Sequence, residues 1–91
     1  MQGKKIEKLN LLMVKDMGYH EVFIKNLKTK KSIKVIFNFD DLEMKLGNAL
    51  EHVGSEFVSY GYDESKKAYI VSARFVNNGT VDMLKMKEFL T

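Results

Sequence analysis

Residues 32–54 read SIKVIFNFDDLEMKLGNALEHVG, and the hydrophobic period changes in the middle of them. Up to Phe39 the residues alternate, with Ile33, Val35, Phe37 and Phe39 on one face and Ser32, Lys34, Ile36 and Asn38 on the other, as a pleated strand requires. From Leu42 the apolar spacing becomes i, i+4, i+7, i+8 and i+11, through Leu42, Leu46, Ala49, Leu50 and Val53, which is one stripe of an α-helix. Asp40 with Glu43 three residues later has the capping-box pattern that satisfies orphan amides at a helix start, and Gly54 stands where a helix stops. A strand that feeds a capped helix places the chain in a mixed class.

Upstream, Val22, Phe23 and Ile24 mark a strand over Tyr19–Asn26, joined to the alternating stretch by the turn Lys28-Thr29-Lys30-Lys31. Downstream, Glu56–Tyr62 and Lys67–Val76 read as strands around Asp63-Glu64-Ser65-Lys66. Asn78-Gly79 is a hairpin dipeptide that predicts a further strand from Thr80 to about Met86. Met86, Phe89 and Leu90 also match helical spacing, so residues 84–90 carry both readings. The same ambiguity affects Ile6–Met17: Ile6, Leu9, Met13 and Met17 form a helical stripe, while Leu9, Leu11 and Met13 alternate as a strand does. Its leucine, methionine, lysine and glutamate content, and Gly18 as a C-terminal cap, favour helix. The expected fold is α+β: one domain, 1–91, with a five-stranded antiparallel sheet (hairpin plus three-stranded meander) and one or two helices on one face, in the order α-β-β-α-β-β-β.

A chain of 91 residues with 45% hydrophobic and 30% charged residues lies in the range of ordinary globular domains. Without cysteine, the fold rests on packing, with no disulfide, thiolate metal site or cysteine nucleophile. No apolar run reaches the roughly 18 residues of a membrane span, and Ile6-Glu7-Lys8-Leu9-Asn10 is too polar for a signal-peptide core, so a cytoplasmic location is expected. The net charge of +3 comes from fourteen lysines and one arginine, Arg74, against twelve acids. Lysine is a hydrated point charge, and base edges are usually read by the arginine fork, so sequence-specific DNA readout is disfavoured. Abundant lysine and asparagine with no proline is what A/T-rich coding sequence yields, as in low-GC bacteria and their phages.

Reactive constellations are sparse. His20 and His52 are 32 residues apart and neither has a companion at metal-ligand spacing. Asp40, Asp41 and Glu43 are explained as a helix cap, and Glu64-Ser65-Lys66 as a hairpin turn rather than the acidic-x-lysine end of a nuclease strand. Neither a nucleophile elbow nor a phosphate-binding glycine loop is present: Gly47 sits alone inside the helical stripe, a placement that implies a close neighbour. No catalytic residue, cofactor or metal is therefore expected.

Two surfaces remain. Ile36, Phe57, Ile70 and Val76 fall opposite the expected core, and adjoining apolar residues there would form a protein-binding face or a homodimer face. The leading expectation is a non-enzymatic binding or regulatory protein, such as a phage or bacterial accessory protein that modulates a host factor through a protein interface. The alternative is nucleic-acid binding through Lys25, Lys28, Lys30, Lys31 and Lys34, with Arg74, Tyr60 and Tyr62 adjoining them as a charged and stacking surface. Against it stands the plainer reading of a solvated turn that protects an edge strand, with tyrosines at the core margin.

Overall fold

The computed structural model describes residues 9–75 and 81–91. Strands β1 (Leu9–Gly18), β2 (Glu21–Asn26) and β3 (Ser32–Ile36) are followed by a 3-10 turn (Phe39–Asp41) and helix α1 (Leu42–His52). Then come β4 (Ser55–Asp63), β5 (Ala68–Phe75) and α2 (Met83–Leu90). The result is an α+β fold with a five-stranded, wholly antiparallel sheet and two helices, in spatial order β3-β2-β1-β5-β4.

The two ends of the chain exchange their expected roles. Residues 9–18 form the central strand rather than a helix. Leu9–Val14 is almost continuously apolar because one set, Leu12 and Val14, is fully buried while Leu9, Leu11 and Met13 face the opposite way. A run apolar on both faces loses the alternation that identifies a strand, and its spacing then fits a helix as well. Gly18 (φ 92°) ends β1 at a tight turn and caps no helix. At the other end, residues 83–90 form a helix in place of the expected strand from Thr80 to about Met86. Its N-cap Asp82 accepts the amide of Lys85 (3.1 Å), and Met83, Met86 and Leu90 supply an inward stripe. The Asn78-Gly79 turn lies outside the described residues.

Both helices pack on one side of the sheet. Leu42, Leu46, Ala49 and Leu50 of α1 and Met83 and Met86 of α2 join Leu12, Val14, Val22, Ile24, Ile33, Val35, Val71 and Ala73 in one core. His52 stacks on Phe89 (centroids 4.8 Å apart) where the helices meet. Asn38, rather than Asp40, supplies the side-chain cap: its Oδ1 accepts the Asp40 amide at 3.0 Å, and Asp41 at the start of α1 makes no such bond. At the other end of α1, Gly54 (φ 80°) ends the helix in the left-handed conformation that glycine adopts without steric cost.

Among the described residues Gly47 has no close neighbour. A Cβ built there meets nothing within 4 Å. Gly47→Ala is therefore expected to stabilise the protein by about 0.5–1 kcal/mol through helix propensity alone, measurable as a higher urea midpoint at unchanged slope.

The β1–β2 turn is strained in the opposite sense. Gly18 pairs with Glu21, so the loop is Tyr19-His20, and both have positive φ (54° and 61°), the signature of a type I′ hairpin. Left-handed backbone costs a residue with a Cβ about 1–2 kcal/mol, and Tyr19 is 100% exposed, so its ring recovers nothing by packing. Replacing Tyr19-His20 by Asn-Gly should raise stability by about 1–2 kcal/mol in the same denaturation experiment.

Candidate interaction surface

With both helices on one side, no described element covers the other. The outward residues of the antiparallel ladder line up in rows across the strands. Ser32, Lys25, Met13, Ile70 and Gly61 form one row from β3 to β4, and Lys34, Phe23 and Lys15 begin the next, while Asp63 on β4 pairs with the buried Ala68. Leu11 lies beside Ser72, which faces Ser59, and Leu9 beside Arg74, which faces Glu56. Leu9 is 46%, Leu11 40% and Ile36 71% exposed, and Met13, Phe23 and Ile70 are partly exposed. Together they form a contiguous apolar stripe on an open sheet face, the kind of surface a partner covers.

Side-chain size divides this face in two. The β1–β2 half carries Leu9, Leu11, Met13, Lys15, Phe23 and Lys25, all long. The β5–β4 half carries Ser72, Ser59 and Gly61 beside Ile70, with Arg74 and Glu56 at one end, leaving a shallow open depression that Asp63 and Glu64 border. Charge divides along the same line. Lys15, Lys25 and Lys34 stand on the first half, with Glu21 at its margin, whereas β4 bears Glu56, Asp63 and no lysine. Arg74 on β5 is bound to Glu56 at 3.0 Å.

Among the expected interface residues, Ile36 and Ile70 lie on this open face. Phe57 does not. A β-bulge between Phe57 and Ser59 places Phe57, Tyr60 and Tyr62 together on the helix side, where Phe57 packs against the core. One inserted residue reverses the facing of everything before it, so simple alternation misplaced Phe57. Val76 lies outside the described residues.

The expected nucleic-acid set does not assemble. Lys28, Lys30 and Lys31 crown the β2–β3 turn, and Lys25 and Lys34 extend from it onto the open face. Tyr60 and Tyr62 are on the opposite face of the far edge strand, in an aromatic cluster around Tyr69 (centroids 5.6 and 5.1 Å) that also includes Phe39 (5.4 Å). They remain 41% and 53% exposed, tyrosines at the core margin. The aromatic that does stand among lysines is Phe23, between Lys15 and Lys34 in its row. Reading residues 6–17 as a helix concealed Leu9, Leu11, Met13 and Lys15, and the alternation of Leu9, Leu11 and Met13 was the signal for them.

Polar side chains near the face serve local structure. Asp63 Oδ1 accepts the Ser65 hydroxyl (2.6 Å) and the amides of Ser65 (2.9 Å) and Lys66 (3.1 Å), and these bonds, the hydroxyl first, hold its pKa below the ordinary 3.8. Because the folded form binds its proton more weakly, the contribution of Asp63 to stability is complete above that value and fades as pH falls below it. His20 sits in the strained turn and His52 against Phe89. Among the described residues no three His, Cys, Asp or Glu converge as a metal site, and no helix is long and apolar enough to cross a membrane.

No family model matches this chain, and no match is found among curated proteins or among solved structures.

Proposed function

We propose that this is a non-enzymatic binding protein that acts through a protein interface on the open face of its sheet. The observation that carries this reading is the contiguous stripe of Leu9, Leu11, Met13, Ile70, Phe23 and Ile36 on a face that no described element covers. The stripe is mainly aliphatic. Aliphatic side chains bury well against a protein surface but give no flat ring on which bases stack, so a protein partner draws more support than a nucleic acid.

The test is site-specific photo-crosslinking in a low-GC bacterial host, with the photoreactive residue at Leu11 or, as control, at Met44, which is exposed on α1. A discrete protein adduct from position 11 and none from position 44 is expected. Adducts from position 44 alone, or none from either, would reject the reading.

Nucleic-acid binding is the second reading, motivated by Phe23 between Lys15 and Lys34 with the Lys28, Lys30 and Lys31 turn beside it. It requires a 20-nucleotide single strand to bind with a log–log salt slope of about −3.5 for five neutralised phosphates. That slope should shrink on charge reversal at Lys28, Lys30 and Lys31.

A further inference from the structure

The open face is complementary to itself, and we infer that its occupant is a second copy of this chain, docked face to face about a two-fold axis parallel to the strands and running between β1 and β5. This rests on the reading of that face as a docking surface.

Consider first what the rotation does. It carries β1 of one copy over β5 of the other, and β2 over β4, while keeping each row over the same row. Leu9 then lies over Arg74, Leu11 over Ser72, Met13 over Ile70 and Lys25 over Gly61, as the ladder registers dictate. The long side chains of one half-sheet thus enter the depression that Ser59, Gly61 and Ser72 leave in the other. An axis perpendicular to the strands would instead stack each half on its own kind: ridge on ridge, lysines on lysines.

Charge selects the same axis. Lys25 enters the depression that Asp63 and Glu64 border, and Lys34 on the adjoining strand reaches toward the same pair. Glu21, the one acidic side chain among the outward residues of β2 and β3, comes toward the Lys66-Lys67 side of the β4–β5 turn. Opposite charges meet twice in the dimer because the interface is isologous.

The size of the face fits a reversible association. Four overlapping strands about 4.8 Å apart and up to five rows about 7 Å apart give on the order of 400 Å² per copy, so pairing removes about 800 Å², and β3 extends past the partner's β4. That lies in the range of weak, transient interfaces, as a reversible association at high protein concentration requires. Packing two such sheets at their usual angle of about 30° keeps the central rows in register and lets the corners diverge.

The experiment is sedimentation velocity on the full chain from about 5 μM to 1 mM, with wild type and the variants Lys25→Glu, Glu64→Lys and Gly61→Phe, each checked for native circular dichroism. The wild type is expected to dimerise. Each charge variant alone sets two like-charged contacts against one another and should weaken dimerisation about tenfold or more. An equimolar mixture of Lys25→Glu with Glu64→Lys makes both contacts attractive again, and should form a heterodimer within about threefold of wild-type affinity. Gly61→Phe, at a position where a Cβ meets nothing within 4 Å, fills the depression and should leave a folded monomer.

A wild type monomeric throughout, or a dimer indifferent to all three substitutions, overturns the inference. In either case a Leu11 adduct with another protein preserves the docking face, whereas the absence of any adduct there removes that as well.

Discussion

Leu46→Ala is expected to lower stability by about 3–4 kcal/mol and the melting temperature by about 15 °C or more, readable by thermal and urea denaturation. Leu46 is fully buried in the middle of the α1 stripe, in the core that joins both helices to the sheet. The loss combines the transfer free energy of the deleted methyls with a cavity that a helix lying on a flat sheet closes only partly. A domain of 91 residues has roughly 5–13 kcal/mol in total, so this one truncation removes a large fraction of it. Met44→Ala, two residues away but exposed, should change stability by less than about 0.5 kcal/mol. Similar losses for the two substitutions would contradict the placement of α1.

Asn26→Leu should cost about 2–3 kcal/mol although it replaces a buried polar side chain with an apolar one of similar size. Asn26 is fully buried, and its Oδ1 accepts the amides of Lys28 (2.9 Å) and Thr29 (3.2 Å). Its backbone closes the same turn, through Asn26 N to Lys31 O and Lys30 N to Asn26 O, both 2.8 Å. Leucine leaves two part-buried amides without their acceptor, and the lysine-crowned turn loosens. Asn10, also buried on the helix side of the sheet, provides the contrast. Its Oδ1 meets no donor among the described residues, so Asn10→Leu should stay within about 1 kcal/mol of wild type. The pair is checked by urea denaturation, and equal effects would contradict the turn-capping role given to Asn26.

The parts of this fold that were legible in the sequence are those with one buried face. Ser32–Ile36 alternates because β3 is an edge strand with one side in the core, and Leu42–Val53 shows a single stripe because α1 lies on the surface of the sheet. The class follows from such segments, whereas the count of five strands and two helices agrees because the strand missed at Leu9–Gly18 and the strand expected from Thr80 to Met86 offset each other. Leu9–Gly18 misled because the central strand is apolar on both faces, and the property that disguised it as a helix is the one that makes its outward residues a docking surface. At the other end, Asp82 followed by Met83, Met86 and Leu90 is a cap and stripe too short to outweigh the hairpin signal of Asn78-Gly79. For the site, Ile36 and Ile70 could be read from alternation. Phe57 could not, because a bulge has no marker in the sequence.

The proposal that the open sheet face docks a second copy is tested most directly by methyl NMR of the full chain over a dilution series from about 1 mM to 20 μM. The account predicts concentration-dependent shifts at Leu9, Leu11, Met13 and Ile70, with Met44 on α1 and Leu84 on α2 unmoved. Shifts at Met44 and Leu84 with the sheet-face methyls unchanged would contradict it.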